Sequence, residues 1–236
     1  MQQQSLDKPL IDNSQFLVID FETTTPKGYS PEPIELGLAR MNGIHIDESA
    51  QKSWFIKPPS HAPLTSFDIN QTGITHKDLE NAKSADQVFD TLEDISGRQD
   101  YIFVAQNASY EKAIIDRFSE NRPNLSSRRI IDTIPLAKLV LPGMSSYKLD
   151  TVAMVLGISI PKERHRALVD CIVTGQVFSQ LIQKSGIITL DELFEVAEIR
   201  PKKKKLNSTD DSWDQQLTLF DVDPNLRPGR EKDGGM

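Results

Sequence analysis

The sequence contains a single cysteine, no long apolar run and no excess of basic side chains. Cys171 is the only cysteine among 236 residues, so an intramolecular disulfide is impossible and a reducing, cytoplasmic compartment is expected. No apolar stretch approaches the roughly 20 residues that span a bilayer. Met1–Asp7 has neither the cationic start nor the apolar stretch of a secretory signal. We therefore expect no association with a membrane.

The charge balance limits how the chain can bind nucleic acid. The formal net charge is −7, and residues 201–236 carry seven basic and seven acidic side chains, so the whole excess lies on residues 1–200. A protein that binds DNA through a broad basic face has the opposite balance. An acidic domain can still act on nucleic acid if its carboxylates gather divalent cations and it contacts few nucleotides.

Five short runs rich in strand-forming residues predict a sheet. They are Phe16–Asp20, Ile34–Met41, Ser53–Ile56, Tyr101–Ala105 and Ile130–Ile131. Short connections predict that the first three strands form an antiparallel meander. Apolar residues at helical spacing predict helices over 88–95, 107–118, 134–140, 149–156, 168–182 and 190–199. This order predicts an α/β fold, in which helices cover the faces of a mixed sheet.

The composition changes after Pro201, where Lys202–Lys205 is followed by polar residues and then by a segment rich in glycine, proline and charge. Such a segment buries too little apolar surface to fold alone. We expect a flexible N-terminus over residues 1–14, one domain over 15–200 and a disordered tail over 201–236.

Acidic residues follow the first predicted strand and begin the helix after the fourth. Asp20 and Glu22 are two apart at a strand end, so both carboxylates project to one face while Phe21 points to the other. Asn107 and Glu111 are four apart, which places them on one face if both are helical. Each pattern also has an ordinary explanation. The first is a solvated turn, and the second is a helix cap with an acid near the helix N-terminus.

His165 and Asp170 form the third group. Five residues turn an ideal helix through about 500°, so the two side chains converge only if His165 lies on the loop before the helix and Asp170 in its opening turns. Pro161 just upstream favours such a loop. The alternative is an exposed histidine next to an ordinary surface aspartate.

Phosphodiester hydrolysis gives a reason to join these groups. Two Mg²⁺ or Mn²⁺ ions about 3.5–4 Å apart can hold the attacking and leaving oxygens, and such hard cations prefer oxygen ligands. A histidine with a pKa near 6.5 can accept the proton of the attacking water at neutral pH. Acids from three separate elements and one histidine meet these needs.

At these residues the sequence resembles the DEDDh exonucleases, an RNase H-like family that includes exonuclease X and the proofreading subunit of bacterial replicative polymerase. The first motif is Phe16–Glu22 (FLVIDFE), the second Val104–Glu111 (VAQNASYE) and the third His165–Asp170 (HRALVD). The resemblance covers roughly residues 15–200. Three motifs in the family's order are far more specific than any one of them.

The resemblance implies a five-stranded mixed sheet with its first three strands antiparallel. It also implies two divalent cations, Mg²⁺ or Mn²⁺, held by Asp20, Glu22 and Asp170, with His165 as general base. Glu111 stands where the family has aspartate. We expect it to serve the second metal, with an altered metal preference or a lower rate, because it is one methylene longer.

The same resemblance implies which residues lie near the 3′-terminal nucleotide. These are Phe21, Asn107 and the backbone of Thr23 and Thr24. Gln106 departs from the family, which usually has histidine there. A variant of the family has tyrosine four residues before its last aspartate. Here Tyr147 precedes Asp150 by only three, so the histidine class is favoured.

The tail contains a short apolar peptide, Gln216-Leu217-Thr218-Leu219-Phe220. It resembles the pentapeptide with which bacterial DNA-processing proteins bind the replication sliding clamp. In that interpretation Leu219 and Phe220 enter an apolar pocket while Gln216 makes a polar contact. The alternative is that these residues and Trp213 fold back onto the domain.

Together these patterns predict a 3′→5′ exodeoxyribonuclease that releases nucleoside 5′-monophosphates in DNA repair or replication while tethered to the sliding clamp. One alternative is an exoribonuclease that trims RNA ends, since only the clamp-like peptide favours DNA. Another is a clamp-tethered binding module whose nuclease activity has lapsed through the change at Glu111.

Overall fold

The computed structural model describes residues 8–161 and 165–199. Its centre is a five-stranded sheet with the order β3-β2-β1-β4-β5. The strands are β1 (Gln15–Thr24), β2 (Glu32–Asn42), β3 (His45–Phe55), β4 (Ile102–Ala105) and β5 (Ile130–Asp132). The first three are antiparallel, and β4 and β5 run parallel to β1. The predicted mixed sheet is confirmed.

Helices connect and cover the strands. They are α1 (Ser66–Thr72), α2 (His76–Leu79), α3 (Ala85–Ser96), α4 (Ser109–Phe118), α5 (Pro123–Ser127), α6 (Thr133–Val140), α7 (Leu149–Val155), α8 (Ala167–Ser185) and α9 (Leu190–Ala197). Apolar periodicity does not predict α1 or α5, because each is too short for a repeating pattern. Their ends carry the information instead: Thr65 and Asp68 form a capping box at α1, and Pro123 begins α5.

Several boundaries differ from the sequence prediction, and β1, for example, continues to Thr24 rather than ending at Asp20. The third strand begins at His45 rather than Ser53. The prediction missed residues 45–52 because they are polar and only partly buried, as is common on an edge strand. Gly43, at φ 56°, permits the tight turn from β2. Part of residues 8–14, which belong to the segment predicted to be flexible, contacts the domain. Ile11 is buried, and its backbone N–H donates to the carbonyl of Ile188.

The sheet separates two apolar cores. On one face Phe16 and Val18 pack with residues of α6, α7, α8 and α9. On the other face Leu17, Ile19 and Phe21 pack with residues of α3, α4 and α5. Each row of alternating residues in β1 therefore contributes to a different core, as the two-residue period of a strand requires. None of the described helices is long and apolar enough to cross a membrane.

The first turn of α8 lies directly on β2 because Gly37 has no side chain. A Cβ at Gly37 would lie 2.3 Å from the carbonyl carbon and oxygen of Ala167. Gly37 is paired with Asp20 in the β1–β2 ladder. This close approach brings the start of α8 to the part of β1 where its acidic residues begin.

Candidate active site

The apolar row on the α8 face of β1 becomes acidic after Val18. Phe16 and Val18 are fully buried, whereas Asp20 and Glu22 are half-buried. Phe21 points to the opposite core, where its ring stacks on that of Phe89 at 5.7 Å. The predicted arrangement of Asp20, Phe21 and Glu22 is thus present in the structure.

The loop before α8 brings a histidine to these carboxylates. His165 is exposed, has φ 66° and precedes α8, while Asp170 is buried in the first turn of that helix. Ligand atoms of Glu22, His165 and Asp170 all lie within 4.8 Å of one another. The side chains of His165 and Asp170 therefore converge, and His165 lies outside the helix, as their five-residue spacing requires.

Glu111 is placed by α4, but Asn107 does not belong to that helix. Asn107 has φ 58°, and the N-cap position is Ala108, so the prediction that Asn107 caps the helix and shares a face with Glu111 is wrong. The carboxylate of Asp132 holds this left-handed turn by accepting the Asn107 N–H at 3.1 Å. It also accepts the N–H of Ile134 at 2.9 Å. Asparagine tolerates the left-handed conformation that the turn needs.

Electrostatics join Glu111 to the carboxylates of β1. Burial and then the charge of Asp20 raise the pKa of Glu111 well above its ordinary value, and Glu22 contributes in the same direction. Burial and then the charge of Asp20 also raise the pKa of the Cys171 thiol, next to Asp170 on α8. The charge of Asp20 therefore acts on residues of both α4 and α8. The structure brings Glu22, His165 and Asp170 within ligand distance of one another, and Asp20 and Glu111 are linked to them by electrostatics.

The residues expected near a terminal nucleotide differ in what they can offer. The side chains of Phe21 and Thr24 are buried, so only their backbone could face a ligand. The Thr23 hydroxyl is hydrogen-bonded to the Tyr110 hydroxyl at 2.6 Å. Gln106 donates to the Tyr147 carbonyl at 2.8 Å and accepts a hydrogen bond from Thr133. It therefore joins the ends of β4 and β5 to the loop before α7.

The donor set fits hard divalent cations. Glu22, His165 and Asp170 converge, with Asp20 on the same strand as Glu22, and carboxylate oxygen is the ligand that Mg²⁺ and Mn²⁺ prefer. Within residues 8–161 and 165–199, Oε2 of Glu111 has no hydrogen-bond partner although it is buried. A buried carboxylate oxygen without a donor is costly. A bound cation would remove this cost.

Comparison with known proteins assigns the family. A model of the exonuclease family RNase_T matches residues 17–178. The chain belongs to this exonuclease family. The match begins within the first motif and includes the second and the third, and the predicted exonuclease family is confirmed.

Curated relatives include PolC-type DNA polymerase III proteins. The protein from Thermotoga maritima is 33% identical over 195 residues, which are 82% of this chain and 14% of the relative. The protein from Bacillus cereus is 30% identical over 175 residues, 74% of this chain and 12% of the relative. The chain thus spans only about a seventh or less of the length of these two relatives.

Solved structures share the fold at low identity. Exonuclease X in complex with 5′-overhanging duplex DNA matches with a TM-score of 0.61 and 20% identity, over 77% of this chain and 98% of that one. The nuclease domain of 3′hExo, a DEDDh family member bound to rAMP, matches with a TM-score of 0.63 and 18% identity, over 75% and 96% of the two chains. The RNase H-like exonuclease fold is therefore confirmed.

Sequence patterns did not indicate two charged residues beside the site. Glu35, on β2 opposite Glu22, is buried and paired with Arg166. The sequence feature that could have indicated Glu35 is its position inside the apolar run Ile34–Leu38, because the interior of a buried strand rarely contains a charged residue. The clamp-like residues Gln216, Leu217, Leu219 and Phe220 lie outside the described residues.

Proposed function

We propose that this protein is a metal-dependent 3′→5′ exonuclease that removes nucleotides from DNA ends. The observation that carries the proposal is the convergence of Glu22, His165 and Asp170, whose ligand atoms lie within 4.8 Å of one another. A histidine on an exposed loop beside carboxylates suits general-base chemistry in a metal-dependent hydrolase.

The residues divide into ligands and a base. Asp20, Glu22, Glu111 and Asp170 would hold two divalent cations, Mg²⁺ or Mn²⁺, which neutralise charge at the scissile phosphate when bound. His165 accepts the proton of the attacking water, and its exposure leaves it accessible to solvent. Asn107 and the backbone of Phe21, Thr23 and Thr24 would position the terminal nucleotide.

The names of the curated relatives favour DNA as the substrate, since they are DNA polymerases. The nuclease domain of 3′hExo is bound to rAMP, which is a ribonucleotide. The substrate test therefore includes RNA, and preferential cleavage of RNA would replace DNA in the proposal.

The test uses the full chain with 5′-labelled single-stranded DNA, double-stranded DNA and RNA of matched sequence. We expect DNA shortened stepwise from its 3′ end with Mg²⁺ or Mn²⁺ and no cleavage with EDTA. His165→Gln should reduce kcat by about 10²–10⁴-fold, the usual contribution of a general base. Asp116→Asn changes an exposed acid of α4 and should leave the rate unchanged. Metal-independent cleavage, or none by the wild type, would refute the proposal.

Glu111 should serve the second metal in this chain. It is buried, and its pKa is raised by burial and by Asp20, which supports a role beside the carboxylates of β1 despite its extra methylene. Glu111→Asp should change the ratio of Mn²⁺-supported to Mg²⁺-supported rates, because the carboxylate retracts by about one bond. An inactive wild type with an active Glu111→Asp variant would instead identify a binding module with impaired nuclease activity.

The tail supports a tether to the sliding clamp. Gln216, Leu217, Leu219 and Phe220 provide the polar and apolar side chains such a peptide needs. A tether raises the effective concentration of an acidic domain at DNA without a basic binding face. This answers the difficulty posed by the net charge of −7.

Clamp binding is tested by pull-down of a purified bacterial sliding clamp with the full chain. The double variant Leu219→Ala/Phe220→Ala should lose binding. Leu226→Ala, a matched apolar change in the same tail, should keep it. Equal binding by both variants, or none by the wild type, would remove the tether while leaving the nuclease proposal intact.

A further inference from the structure

A buried carboxylate on β2 holds the loop that carries His165. The side chain of Glu35 is only 1% exposed, and both of its oxygens accept hydrogen bonds from Arg166, each at 3.0 Å. Its Oε2 also accepts the backbone N–H of Ala167, the first residue of α8, at 3.1 Å. One carboxylate thus fixes the two residues that follow His165.

This pair is costly as a source of stability. Glu35 is buried, whereas the Arg166 side chain is 38% exposed. Burying the charge of Glu35 carries a desolvation penalty that the attraction of Arg166 often only offsets. An exposed surface offers cheaper ways to begin a helix, such as a serine or aspartate cap. The desolvation cost of the Glu35–Arg166 pair indicates that the pair serves to fix local geometry rather than to add stability.

The geometry in question is that of His165. This residue has φ 66°, a conformation that costs a non-glycine residue free energy and persists only when its surroundings impose it. Arg166 has extended backbone at the N-cap of α8, and its guanidinium also lies over the ring of Phe55 at 5.2 Å. Arg166 is thus held on both sides, directly after the residue in the left-handed conformation.

Glu35 is also coupled to the site through the sheet. It is paired with Glu22 in the β1–β2 ladder. The pKa of Arg166 is raised by its hydrogen bonds to Glu35, with smaller contributions from other acids including Glu22. The guanidinium therefore lies in the field of both glutamates and lessens their mutual repulsion.

We propose that Glu35 is a positioning residue: through Arg166 and the Ala167 N–H it fixes the left-handed turn that brings the His165 imidazole to Glu22 and Asp170. This rests on the proposed role of His165 as general base. Loss of the pair should displace the imidazole, and a displacement of about 1 Å can cost about 10²-fold in rate.

The molecule provides a matched control in a second arginine–glutamate pair. Arg129 binds Glu198 through two hydrogen bonds, at 2.5 and 2.7 Å, and its guanidinium lies over the ring of Phe194. This pair joins the segment before β5 to the residue after α9. It has the chemistry of the Glu35–Arg166 pair, but neither partner is next to a predicted catalytic residue.

The test measures Glu35→Gln, Arg166→Lys and Glu198→Gln beside the wild type in the full chain. Wild-type hydrolysis with Mn²⁺ is recorded first, and its absence would refute the nuclease rather than the positioning role. We expect Glu35→Gln and Arg166→Lys to lower kcat by about 10–100-fold, as changes to residues that orient ligands do. Their KM for DNA should change little, because the lost interaction is one made in the transition state. Glu198→Gln should keep wild-type kcat.

A second readout does not depend on activity. The chain has four histidines, so the His165 imidazole resonance can be identified by its disappearance in His165→Gln. Added Mn²⁺ should broaden this resonance strongly in the wild type and in Glu198→Gln. Broadening should be weak in Glu35→Gln and Arg166→Lys, because the paramagnetic effect falls steeply with distance.

A purely structural role gives a different pattern. The variants would then show a lower Tm, while kcat below that temperature and the Mn²⁺ broadening of His165 stayed at wild-type values. That result overturns the proposal. Arg166→Lys keeps the positive charge beside Glu35, so the same comparison can be made if Glu35→Gln fails to fold.

Discussion

The apolar half of β1 (Phe16 and Val18) and its acidic half (Asp20 and Glu22) lie on one continuous face under α8. The two halves have opposite effects on stability. Phe16 and Val18 are fully buried, and the ring of Phe16 packs on Phe178 of α8 with centroids 5.2 Å apart. Asp20 and Glu22 continue the same row but bring charge to the same helix. The first half lowers the free energy of the fold, whereas the second half adds repulsion.

The difference shows how the strand holds the acids in place. A carboxylate cluster without a cation is unfavourable by itself, because burial and like charges both oppose ionisation. The apolar half of β1, with the cores on both faces of the sheet, offsets that cost. Stability and chemistry should therefore respond separately to changes made two residues apart on one strand.

The largest expected effect lies in the apolar half. Phe16→Ala should lower the free energy of unfolding by about 3–5 kcal/mol, the usual cost of removing a buried aromatic ring. Urea unfolding followed by circular dichroism measures this. At a temperature where the variant is folded, kcat should match the wild type. A large loss of kcat in the folded variant would show that the two halves are not independent.

The acidic half should behave in the opposite way. Asp20→Asn should reduce kcat by about 10²–10³-fold, because it removes charge that positions the metal-dependent chemistry. Without metal it should unfold no more easily than the wild type, since the charge that raises the pKa of Glu111 is gone. Steady-state kinetics and metal-free urea unfolding test this pair of outcomes. A marked loss of stability would contradict the comparison.

A substitution at Gly37 tests the close contact between α8 and the sheet. Gly37→Ala would place a Cβ 2.3 Å from the backbone of Ala167, which cannot move without shifting α8. We expect a loss of about 1–3 kcal/mol in stability and a reduced kcat through displacement of Asp170.

Gly175→Ala is the matched control within α8. Its Cβ would meet Cδ1 of Ile46 at 2.9 Å, the end of a flexible side chain. The helix gains up to about 1 kcal/mol of propensity from alanine. Stability should change little and kcat should be unaffected. Equal effects from the two glycine substitutions would show that the Gly37–Ala167 approach has no special role.

The smallest expected effect is the pH dependence contributed by Glu111. Its folded pKa is raised, so between its ordinary value of 4.5 and the higher folded value the folded state binds more protons than the unfolded state. Stability therefore falls as pH rises through that window. In metal-free protein, Glu111→Gln should remove this component. Thermal unfolding of wild type and variant at a series of pH values measures it, and an unchanged slope would contradict the assignment.

Metal should reverse the same dependence in the wild type. A cation that binds the folded state stabilises it by mass action, and it favours ionised carboxylates. Mn²⁺ should therefore raise the Tm of the wild type more at high pH than at low pH. Asp20→Asn should show a smaller increase at every pH.

Much of the fold could be predicted because local patterns match it. Apolar runs marked β1, β2, β4 and β5, and a 3.6-residue period marked the long helices. The short helix α1 and the polar beginning of β3 could not be found this way. α1 is defined by a capping box rather than by periodicity, and β3 is an edge strand whose residues are largely solvated.

The positions of some candidate site residues could also be predicted from the sequence, whereas that of Asn107 could not. Asp20 and Glu22 follow from strand alternation, and the spacing of His165 and Asp170 correctly requires a histidine outside the helix. Asn107 was misplaced because asparagine favours both helix caps and left-handed turns, and the carboxylate of Asp132 selects the turn.

The sequence alone determined the identity and order of the acidic motifs, the mixed sheet and the strand end that carries Asp20 and Glu22. These follow from residue type and local period. Only the tertiary structure shows that Glu35 pairs with Arg166 and that α8 packs directly on Gly37. It also shows that the charge of Asp20 raises the pKa of Glu111. Such contacts join residues far apart in the chain, and their free energy depends on burial and distance, which local sequence does not encode.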